Sequence, residues 1–288
     1  MRQHLLFARR GGSGRIVFRL TLGALLMLLV PHAPADSAPT GRADIPAEAS
    51  SPDCSKIWLG REAEFEEMLR TAKVMKLEDL PVGVLESQCA YVEEGLPFSR
   101  MCWKTIKRKK KAGFWEDYKA EIAAYELDKF LGLGMVPPTV ERNIRGTNGS
   151  AMLWLENVEG WDMHNPVRGP DVRAWAREMV REKMFDRLIG NIDRNQGNLF
   201  YDRDWCLLLI DHSRAFVDVT DPSKFQEFKF IDLQLWAKMK ILDLETLKPV
   251  LGAWVSTGMM RAMLQRRDQM GEYIDELAKK RGGNIWLR

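Results

Sequence analysis

The sequence predicts an α+β fold in two lobes, a β-rich amino-terminal lobe and a mainly helical carboxyl-terminal lobe. Three observations support this fold. Strand-like segments surround one strong amphipathic helix in residues 57–160, helical periodicity dominates residues 161–288, and a short hairpin interrupts the helical half near residues 199–210. With 288 residues, 45% of them hydrophobic, the chain is long enough for two packed lobes.

The amino-terminal lobe is expected to begin with a helix over residues 61–76, where apolar residues recur at helical spacing. Residues 82–91 and 99–106 then have the composition of two strands. Glu94-Gly95-Leu96-Pro97 lies between them and predicts a turn.

A second helix is expected over residues 114–131, with Gly132 ending it. Its apolar stripe consists of Ala120, Ala124, Leu127 and Leu131. Residues 136–142 and 151–158 are strand-like, and Asn148-Gly149 is the expected hairpin turn between them.

The carboxyl-terminal lobe is expected to begin near Glu159-Gly160. Residues 171–190 predict a helix, residues 199–201 and 205–210 predict a strand pair, and residues 231–280 are helical throughout.

The first 35 residues have the pattern of a secretory signal peptide. Several arginines precede an apolar stretch over residues 20–30, and Ala33-Pro34-Ala35 offers a small-residue cleavage site. The stretch is shorter than the ~20 residues that a membrane-spanning helix needs. The alternative is an uncleaved anchor formed by residues 16–30. We therefore expect a protein of the secretory lumen, secreted or periplasmic, with residues 36–56 as a disordered linker rich in Pro, Ala and Ser.

The composition limits the class of partner. The 43 Lys and Arg against 40 Asp and Glu give a net charge of +3, too small to indicate a nucleic-acid partner. A membrane partner is expected only if the amino-terminal segment stays uncleaved. The four cysteines of this exported chain permit at most two disulfides. They are Cys54, Cys89, Cys102 and Cys206.

Residues 185–216 hold the most informative pattern. Asp193 and Asn198 lie in a loop after a helix, and Asp211 closes the second strand of the hairpin. Folding at residues 202–204 brings Asn198 opposite Asp211 within a residue or two, so both oxygen ligands can share a hard cation such as Mg²⁺. Asp193 can then face an acceptor hydroxyl. Three oxygen ligands at this spacing predict a metal–triphosphate site for phosphoryl transfer.

Two other interpretations compete with this one. Asp and Asn are ordinary turn residues, so a loop without a chemical role would contain them too. Asp193-x-Asn195-x-Gly197 also begins like a calcium loop, but an EF-hand needs a side-chain ligand at Gly197, glycine at Asn198 and glutamate at Asp204. The spacing of the whole segment favours the metal–triphosphate site.

A lysine that binds phosphates needs a carboxylate partner. Lys104 lies inside an otherwise apolar strand-like stretch, where a buried lysine requires an ion pair. On the next helix Glu121 lies roughly 90° from the buried stripe and Glu126 roughly 130°. This favours Glu121, and the alternative is that both glutamates are solvated.

Strand alternation predicts the rest of a nucleotide pocket. Residues two apart share a face, so Cys102 should face the nucleotide beside Lys104, as a free thiol. Gly83 is the candidate for a short phosphate-binding loop. The adenine is expected to lie against residues 152–158, with contacts from Leu155, Glu156 and Val158.

A dense basic run, Lys107-Arg108-Lys109-Lys110-Lys111, lies between the strand and the helix. One interpretation is a solvated loop. The other is a surface that attracts an acidic substrate or phosphate groups.

Several segments resemble the Golgi casein kinase family of secretory-pathway kinases. Residues 120–129, AEIAAYELDK, and residues 136–142, VPPTVER, are similar to its helix and following strand. Residues 188–194, LIGNIDR, are similar to its catalytic loop, and residues 210–216, IDHSRAF, are similar to its metal-binding segment. The resemblance covers most of residues 60–220.

This resemblance implies a bilobal protein-kinase-like fold and an ATP-dependent kinase that uses Mg²⁺ or Mn²⁺. It implies Asp193 as the catalytic aspartate, Lys104 on the phosphates with Glu121 as its partner, and Asp211 as a metal ligand. The hairpin spacing adds Asn198 as a second metal ligand. The favoured acceptor is a Ser or Thr of a protein substrate, for which an acidic protein is one candidate.

The sequence departs from the family pattern in two places. The metazoan Golgi enzymes tend to carry an acidic residue where Asn198 stands, and asparagine there is similar to phosphoinositide kinases and bacterial toxin–antitoxin serine kinases. The carboxyl-lobe cysteines of the Golgi enzymes are also missing. The alternatives are a lipid or small-molecule kinase, and a nucleotide-binding pseudokinase that acts as an interaction module.

Overall fold

The computed structural model describes residues 56–80, 87–111, 114–162, 164 and 166–287. The expected signal peptide, residues 36–55 of the expected linker, and Gly83 lie outside these ranges. Within them, no helix is long and apolar enough to cross a membrane.

Two sets of elements make up the described chain. The strands are β1 Val74–Asp79, β2 Ser87–Val92, β3 Arg100–Lys104, β4 Lys109–Lys111, β5 Phe114–Glu116, β6 Thr139–Ile144, β7 Thr147–Leu153, β8 Glu159–Gly160, β9 Leu199–Tyr201, β10 Leu207–Leu209, β11 Ile231–Asp232 and β12 Trp286–Leu287. The helices are α1 Glu62–Thr71, α2 Tyr118–Leu131, α3 Val172–Ile189, α4 Leu233–Lys240, α5 Leu244–Leu251 and α6 Thr257–Arg281.

The amino-terminal part is built on an antiparallel sheet in the order β1-β2-β3-β7-β6. One face of this sheet packs with α1 in a hydrophobic cluster that includes Met101 and Trp103 of β3. Alternation along β3 then turns Cys102 and Lys104 to the opposite face, on the side of α2. The sheet therefore delivers Lys104 to the helix that carries Glu121.

The carboxyl-terminal part is mainly helical. Helices α3 to α6 and the β9–β10 hairpin surround a second cluster, in which Phe185, Leu188 and Phe216 are fully buried. Glu159–Gly160, where the lobe boundary is expected, forms β8 and pairs with β9. The helical stretch expected over residues 231–280 is divided into α4, α5 and α6.

The predicted carboxyl-terminal ends of two helices, each followed by a glycine, are confirmed. Gly132 ends α2 and Gly190 ends α3, with left-handed φ values of 63° and 69° that favour glycine. Asp171 begins α3, because its Oδ1 accepts the backbone N–H of Arg173 at 2.8 Å.

The prediction of a turn at Asn148-Gly149 is wrong. The two-residue turn is Arg145-Gly146, whose φ values of 52° and 83° fit a type I′ hairpin. Asn148 pairs with Asn143 inside the strands. Gly149 serves close packing instead, because a Cβ at this position would lie 2.3 Å from the carbonyl oxygen of Lys104.

Two predicted helices are shorter than expected. Helix α1 ends at Thr71 because Ala72 is already extended, with ψ of 134°, and the chain continues into β1. Helix α2 begins at Tyr118, with Asp117 as its N-cap. The residues before it form β5, which pairs with β4, so part of the basic run is strand rather than loop.

The cysteines are divided between two states. Cys89 and Cys102 are buried free thiols, which confirms the free thiol expected at Cys102. Cys206 is disulfide-bonded, and Cys54 lies outside the described residues.

Candidate active site

Lys104 lies at the centre of the candidate active site. Its Nζ is 2.5 Å from Oε1 of Glu121 and 2.8 Å from Oδ1 of Asp211. The side chains of Lys104 and Glu121 are only 12% and 3% exposed, whereas that of Asp211 is 29% exposed. The ammonium is therefore buried on its Glu121 side and lies nearer to solvent beside Asp211. We call this more open side of the cluster, which also holds Asp193 and Asn198, the cleft.

The charges of this cluster stabilise one another. Burial alone would lower the pKa of Lys104, but the carboxylates of Glu121 and Asp211 outweigh burial and raise it. Burial alone would raise the pKa of Glu121, but Lys104 and then His212 outweigh burial and lower it. Both groups therefore stay charged throughout the neutral pH range.

Glu121 is held at both oxygens. Oε1 accepts from Lys104, and Oε2 accepts the backbone N–H of His212 at 2.8 Å. Glu126, the other candidate on α2, pairs with Lys129 at 2.9 Å. The structure thus brings Glu121, rather than Glu126, to Lys104.

Asp193 lies in the loop between α3 and β9. Its backbone N–H donates to Oδ1 of Asn191 at 3.2 Å, and its carbonyl accepts Nδ2 of Asn198 at 3.4 Å. Oδ2 of its carboxylate lies 2.9 Å from a terminal guanidinium nitrogen of Arg214. Main chain and side chain are thus both held, and the side chain stays 35% exposed.

Arg194 joins this loop to the hairpin. Its buried guanidinium pairs with Asp186 of α3 at 2.7 Å. It also donates to the carbonyl oxygens of Asn198 at 2.7 Å and Ile210 at 2.8 Å. One cation therefore sets the spacing between the chain segments that contain Asn198 and Asp211.

Asn198 and Asp211 have the donor chemistry for a divalent cation. Ile210 N–H donates to the Asn198 carbonyl at 3.2 Å, so the two ligand positions are neighbours. Lys104 and Ser213 both donate to Oδ1 of Asp211, which leaves Oδ2 for a cation. Mg²⁺ commonly takes one or two protein oxygens and completes its shell with phosphates and water.

No group of three or more His, Cys, Asp or Glu side chains in the described part of the chain is arranged to hold a metal ion. Asn198 and Asp211 offer two oxygen ligands, a number that Mg²⁺ commonly takes from a protein when phosphate oxygens supply others.

Asp211 has a strained backbone. Its φ is 58°, in the left-handed region that few residues other than glycine adopt. Phe216, five residues later, has φ of 55°. Such strain is concentrated at functional sites, where the surrounding structure enforces it.

Cys102 shares the cleft face of β3 with Lys104. Burial raises the pKa of its thiol to about 11. The thiol is therefore protonated at neutral pH and a weak nucleophile.

The segment after β7 faces a different space. Leu155, Glu156 and Val158 line a cavity of about 640 Å³ together with Trp58 and Phe98, and Lys104 is not among the lining residues. Glu156 pairs with Arg100 at 3.0 Å. The structure does not bring these three side chains to Lys104, and their contact with adenine stays a prediction. Gly83 cannot be placed, because it lies outside the described residues.

Sequence reasoning missed Arg214 and Glu116. Arg214 donates to Oε1 of Glu116 from Nε at 2.9 Å and from a terminal nitrogen at 2.6 Å, while its other terminal nitrogen pairs with Asp193. The available signal was the position of Arg214 three residues after Asp211, inside the segment that resembles a metal-binding motif.

The basic run lies beside this cleft. Lys107, Arg108 and Lys110 are exposed, and the guanidinium of Arg108 lies 4.7 Å from the ring centroid of Trp115. Arg108 and Trp115 also line a small cavity with Glu116 and Ser213. The β4–β5 hairpin therefore adds positive charge next to the candidate active site.

Solved kinase structures share this fold. A crystal structure of the Golgi casein kinase matches with a TM-score of 0.61 at 15% sequence identity, covering 78% of this chain and 78% of that chain. The Golgi casein kinase with Mn and ADP bound matches with a TM-score of 0.60 at 15% identity and the same coverage. The structure of hydra Fam20 with sugar matches with a TM-score of 0.64 at 14% identity, covering 78% of this chain and 91% of that chain.

At these identities the similarity establishes the fold. The α+β class and the bilobal kinase-like architecture are confirmed, and so is the resemblance to the Golgi casein kinase. A comparison with protein-family models finds no match. A comparison with curated proteins finds none either.

Proposed function

We propose that this protein is an ATP-dependent kinase that transfers the γ-phosphate to a hydroxyl group, with Ser or Thr of a protein as the favoured acceptor. The observation that carries the proposal is Lys104, which lies within 2.8 Å of Glu121 and Asp211. A lysine that contacts the phosphates of a nucleotide is held in place by a carboxylate partner. Few purely structural roles require a lysine buried between two carboxylates. The fold shared with kinases supports the same conclusion.

Each polar group has a role in this reaction. The acceptor oxygen bonds to the γ-phosphorus while the bond from that phosphorus to the leaving oxygen of ADP breaks. Asp193 orients the hydroxyl and accepts its proton. Lys104 contacts the phosphates and Glu121 keeps it in place. Asp211 and Asn198 would hold Mg²⁺ or Mn²⁺, which neutralises phosphate charge when bound.

The basic surface supports a protein acceptor, and an acidic one in particular. Lys107, Arg108 and Lys110 are exposed beside the cleft, where they attract negative charge. The alternative acceptors are a lipid and a small molecule. The observation that favours a lipid is asparagine at position 198, by its resemblance to phosphoinositide kinases.

We also propose that the protein acts in an oxidising, exported compartment. The signal-peptide pattern of residues 1–35 supports this, and so does the disulfide at Cys206, because disulfides are rare in reducing compartments. Residues 16–30 would anchor the protein only if the leader stays uncleaved. Sequencing the amino terminus of the mature protein tests this point, and a start at residue 1 would contradict cleavage.

Nucleotide binding is tested by thermal unfolding of the wild type with ATP and Mg²⁺ or Mn²⁺. A nucleotide at 100 times its Kd should add ~2.7 kcal/mol to the free energy of unfolding. Asp211→Asn should lose the metal-dependent part of this shift while tolerating the same backbone, since asparagine adopts left-handed φ readily. Asp204→Asn is the matched control on the same hairpin, with a side chain that is 33% exposed. A wild type without a metal-dependent shift would refute the proposal.

Phosphate transfer is tested with labelled ATP and a library of Ser- and Thr-containing peptides. Asp193→Ala should lower the rate on the order of 10²- to 10⁴-fold while keeping the nucleotide-dependent shift, because the general base is lost and the phosphate contacts remain. A wild type that binds Mg²⁺-ATP but transfers phosphate to no acceptor would instead identify a pseudokinase.

A further inference from the structure

Arg214 bridges two carboxylates that belong to different parts of the fold. One terminal nitrogen lies 2.9 Å from Oδ2 of Asp193, in the loop after α3. Nε and the other terminal nitrogen lie 2.9 and 2.6 Å from Oε1 of Glu116, at the end of β5. A planar guanidinium can make both contacts at once because its donors point in fixed directions.

Glu116 is the fixed end of this bridge. Its side chain is 0% exposed, against 35% for Asp193. Among the described residues its Oε2 has no hydrogen-bond partner, so both contacts fall on Oε1. A carboxylate buried in this way is stable only beside a cation. Arg214 therefore stays with Glu116 and presents its other terminal nitrogen to Asp193.

The bridge is also fixed to the helix that carries Glu121, the partner of Lys104. The backbone N–H of Asp117, next to Glu116, donates to the carbonyl oxygen of Ser213 at 2.9 Å. Asp117 caps α2 by accepting from Lys119 N–H at 3.0 Å, and α2 contains Glu121. The junction between β5 and α2 thus holds Arg214 and Glu121 at a set separation.

We propose that Arg214 is a positioning residue for Asp193, with Glu116 as its anchor. Because Oδ2 of Asp193 is held by Arg214, Oδ1 is the oxygen that faces the acceptor hydroxyl. Three hydrogen bonds hold the Asp193 main chain, and the ion pair with Arg214 orients its side chain. This role rests on the proposed kinase function.

The test compares Arg214→Ala and Arg214→Lys with Arg177→Ala in steady-state phosphate transfer and thermal unfolding. Arg177 is the matched control, because its side chain is 20% exposed, against 19% for Arg214, and it also pairs with a fully buried carboxylate, Asp232. Arg214→Ala should lower kcat about 10- to 100-fold, the usual loss when a supporting contact is removed. The KM for ATP and the Mg²⁺-ATP shift in Tm should stay at wild-type values. Arg214→Lys should restore only part of kcat, since one ammonium replaces a two-sided fork.

Glu116→Gln tests the anchor separately, because it keeps the shape of the side chain and removes its charge. Glu116→Gln should lower kcat less than Arg214→Ala does, because Arg214 itself is still present. The double variant should be no slower than Arg214→Ala alone, because both changes act on one bridge.

Three outcomes would overturn the inference while the kinase function stands. In the first, Arg214→Ala raises kcat, which makes the contact inhibitory. In the second, it lowers kcat no more than Arg177→Ala does. In the third, it abolishes the Mg²⁺-ATP shift, which places Arg214 on the nucleotide. A wild type without transfer activity overturns the proposed function itself, and the positioning role with it. If Arg214→Ala does not fold, Arg214→Lys and Glu116→Gln decide by the same criteria.

Discussion

Two cationic side chains line the cleft of this protein, and each joins a partly exposed aspartate to a buried glutamate. Lys104 joins Asp211 to Glu121, and Arg214 joins Asp193 to Glu116. The two arrangements differ in how completely the glutamate is bonded. Glu121 has a partner at each oxygen, whereas Glu116 has one oxygen unpaired among the described residues.

This difference indicates that the two bridges have different roles. Both oxygens of Glu121 are hydrogen-bonded, so the Lys104 bridge keeps its charges paired on the buried side, as a lysine that contacts phosphates requires. Arg214 instead makes two hydrogen bonds to Glu116 and one to Asp193 from a planar guanidinium with fixed donor directions, so it fixes direction more than charge. Under the proposed function, Lys104 marks the phosphate side of the cleft and Arg214 marks its acceptor side.

The largest effect on stability and nucleotide binding is expected from Lys104→Met. It leaves Glu121 buried without its cation, and breaking a buried pair in this way costs about 3–5 kcal/mol. Denaturant unfolding should show this loss, and the Mg²⁺-ATP shift in Tm should disappear. Arg214→Ala should lose stability too but keep the shift. If both variants keep it, or both lose it, the division into two sides is wrong.

A smaller effect is expected from Gly149→Ala, which acts on the Lys104 bridge alone. The new Cβ would lie 2.3 Å from the carbonyl oxygen of Lys104, and backbone must move to make room. The expected loss is about 3 kcal/mol, the upper part of the range for overpacking. Gly283→Ala is the control, since its Cβ would meet nothing within 4 Å, and it should stay within about 0.5 kcal/mol of the wild type. Equal stabilities for the two variants would contradict the close approach.

Asp128 shows what a buried carboxylate does without such a bridge. It accepts the backbone N–H of Met135 at 3.0 Å, and burial raises its pKa to about 7, whereas the pKa of Glu121 is lowered. The folded state therefore binds the proton of Asp128 more tightly than the unfolded state does. Its contribution to stability is complete below about pH 4 and is lost as the pH rises toward 7.

Asp128→Asn should remove this pH dependence, because the amide oxygen still accepts from Met135 but does not titrate. In the wild type the contribution is about 1 kcal/mol per pH unit over that range. The measurement is the free energy of unfolding between pH 4.5 and 7. Identical slopes for variant and wild type would show that Asp128 does not titrate there.

The smallest effect concerns Cys102, which shares its face of β3 with Lys104. Because the pKa of the thiol is raised to about 11, alkylation by iodoacetamide should be slow at pH 7 and accelerate toward pH 11. Mg²⁺-ATP should slow the alkylation of Cys102 further if the adenine ring lies over this face of β3. Mass spectrometry of the labelled peptide, with Cys102→Ser as the control, measures both rates. Labelling that ATP leaves unchanged would remove Cys102 from the nucleotide pocket.

The phosphate side could be predicted from the sequence because each of its parts has a local signal. Lys104 stands out in an apolar stretch, the helical angle favours Glu121, and the hairpin brings Asn198 opposite Ile210, one residue from Asp211. Gly132 ends its helix where the pattern predicts. Local periodicity and turn chemistry determine all of these features.

The acceptor side could not be predicted because it depends on contacts between distant residues. Glu116 and Arg214 are 98 positions apart, and nothing near either residue predicts the other. The apolar pattern of residues 114–131 also predicts one continuous helix, which hides the strand β5 that contains Glu116. Asn148-Gly149 has a stronger turn composition than Arg145-Gly146, yet the turn lies at Arg145-Gly146, because packing against Lys104 requires glycine at position 149 within the strand.

The left-handed backbone at Asp211 limits what can ever replace this residue. At a φ of 58° glycine, asparagine and aspartate are accommodated more readily than most other residues. Of these three, only aspartate brings a negative charge. Under the proposed function, the substitutions that the backbone tolerates best at this position are therefore the ones that abolish phosphate transfer. A lineage of this fold that lost the need for phosphate transfer could change residue 211 and still inherit a well-folded protein.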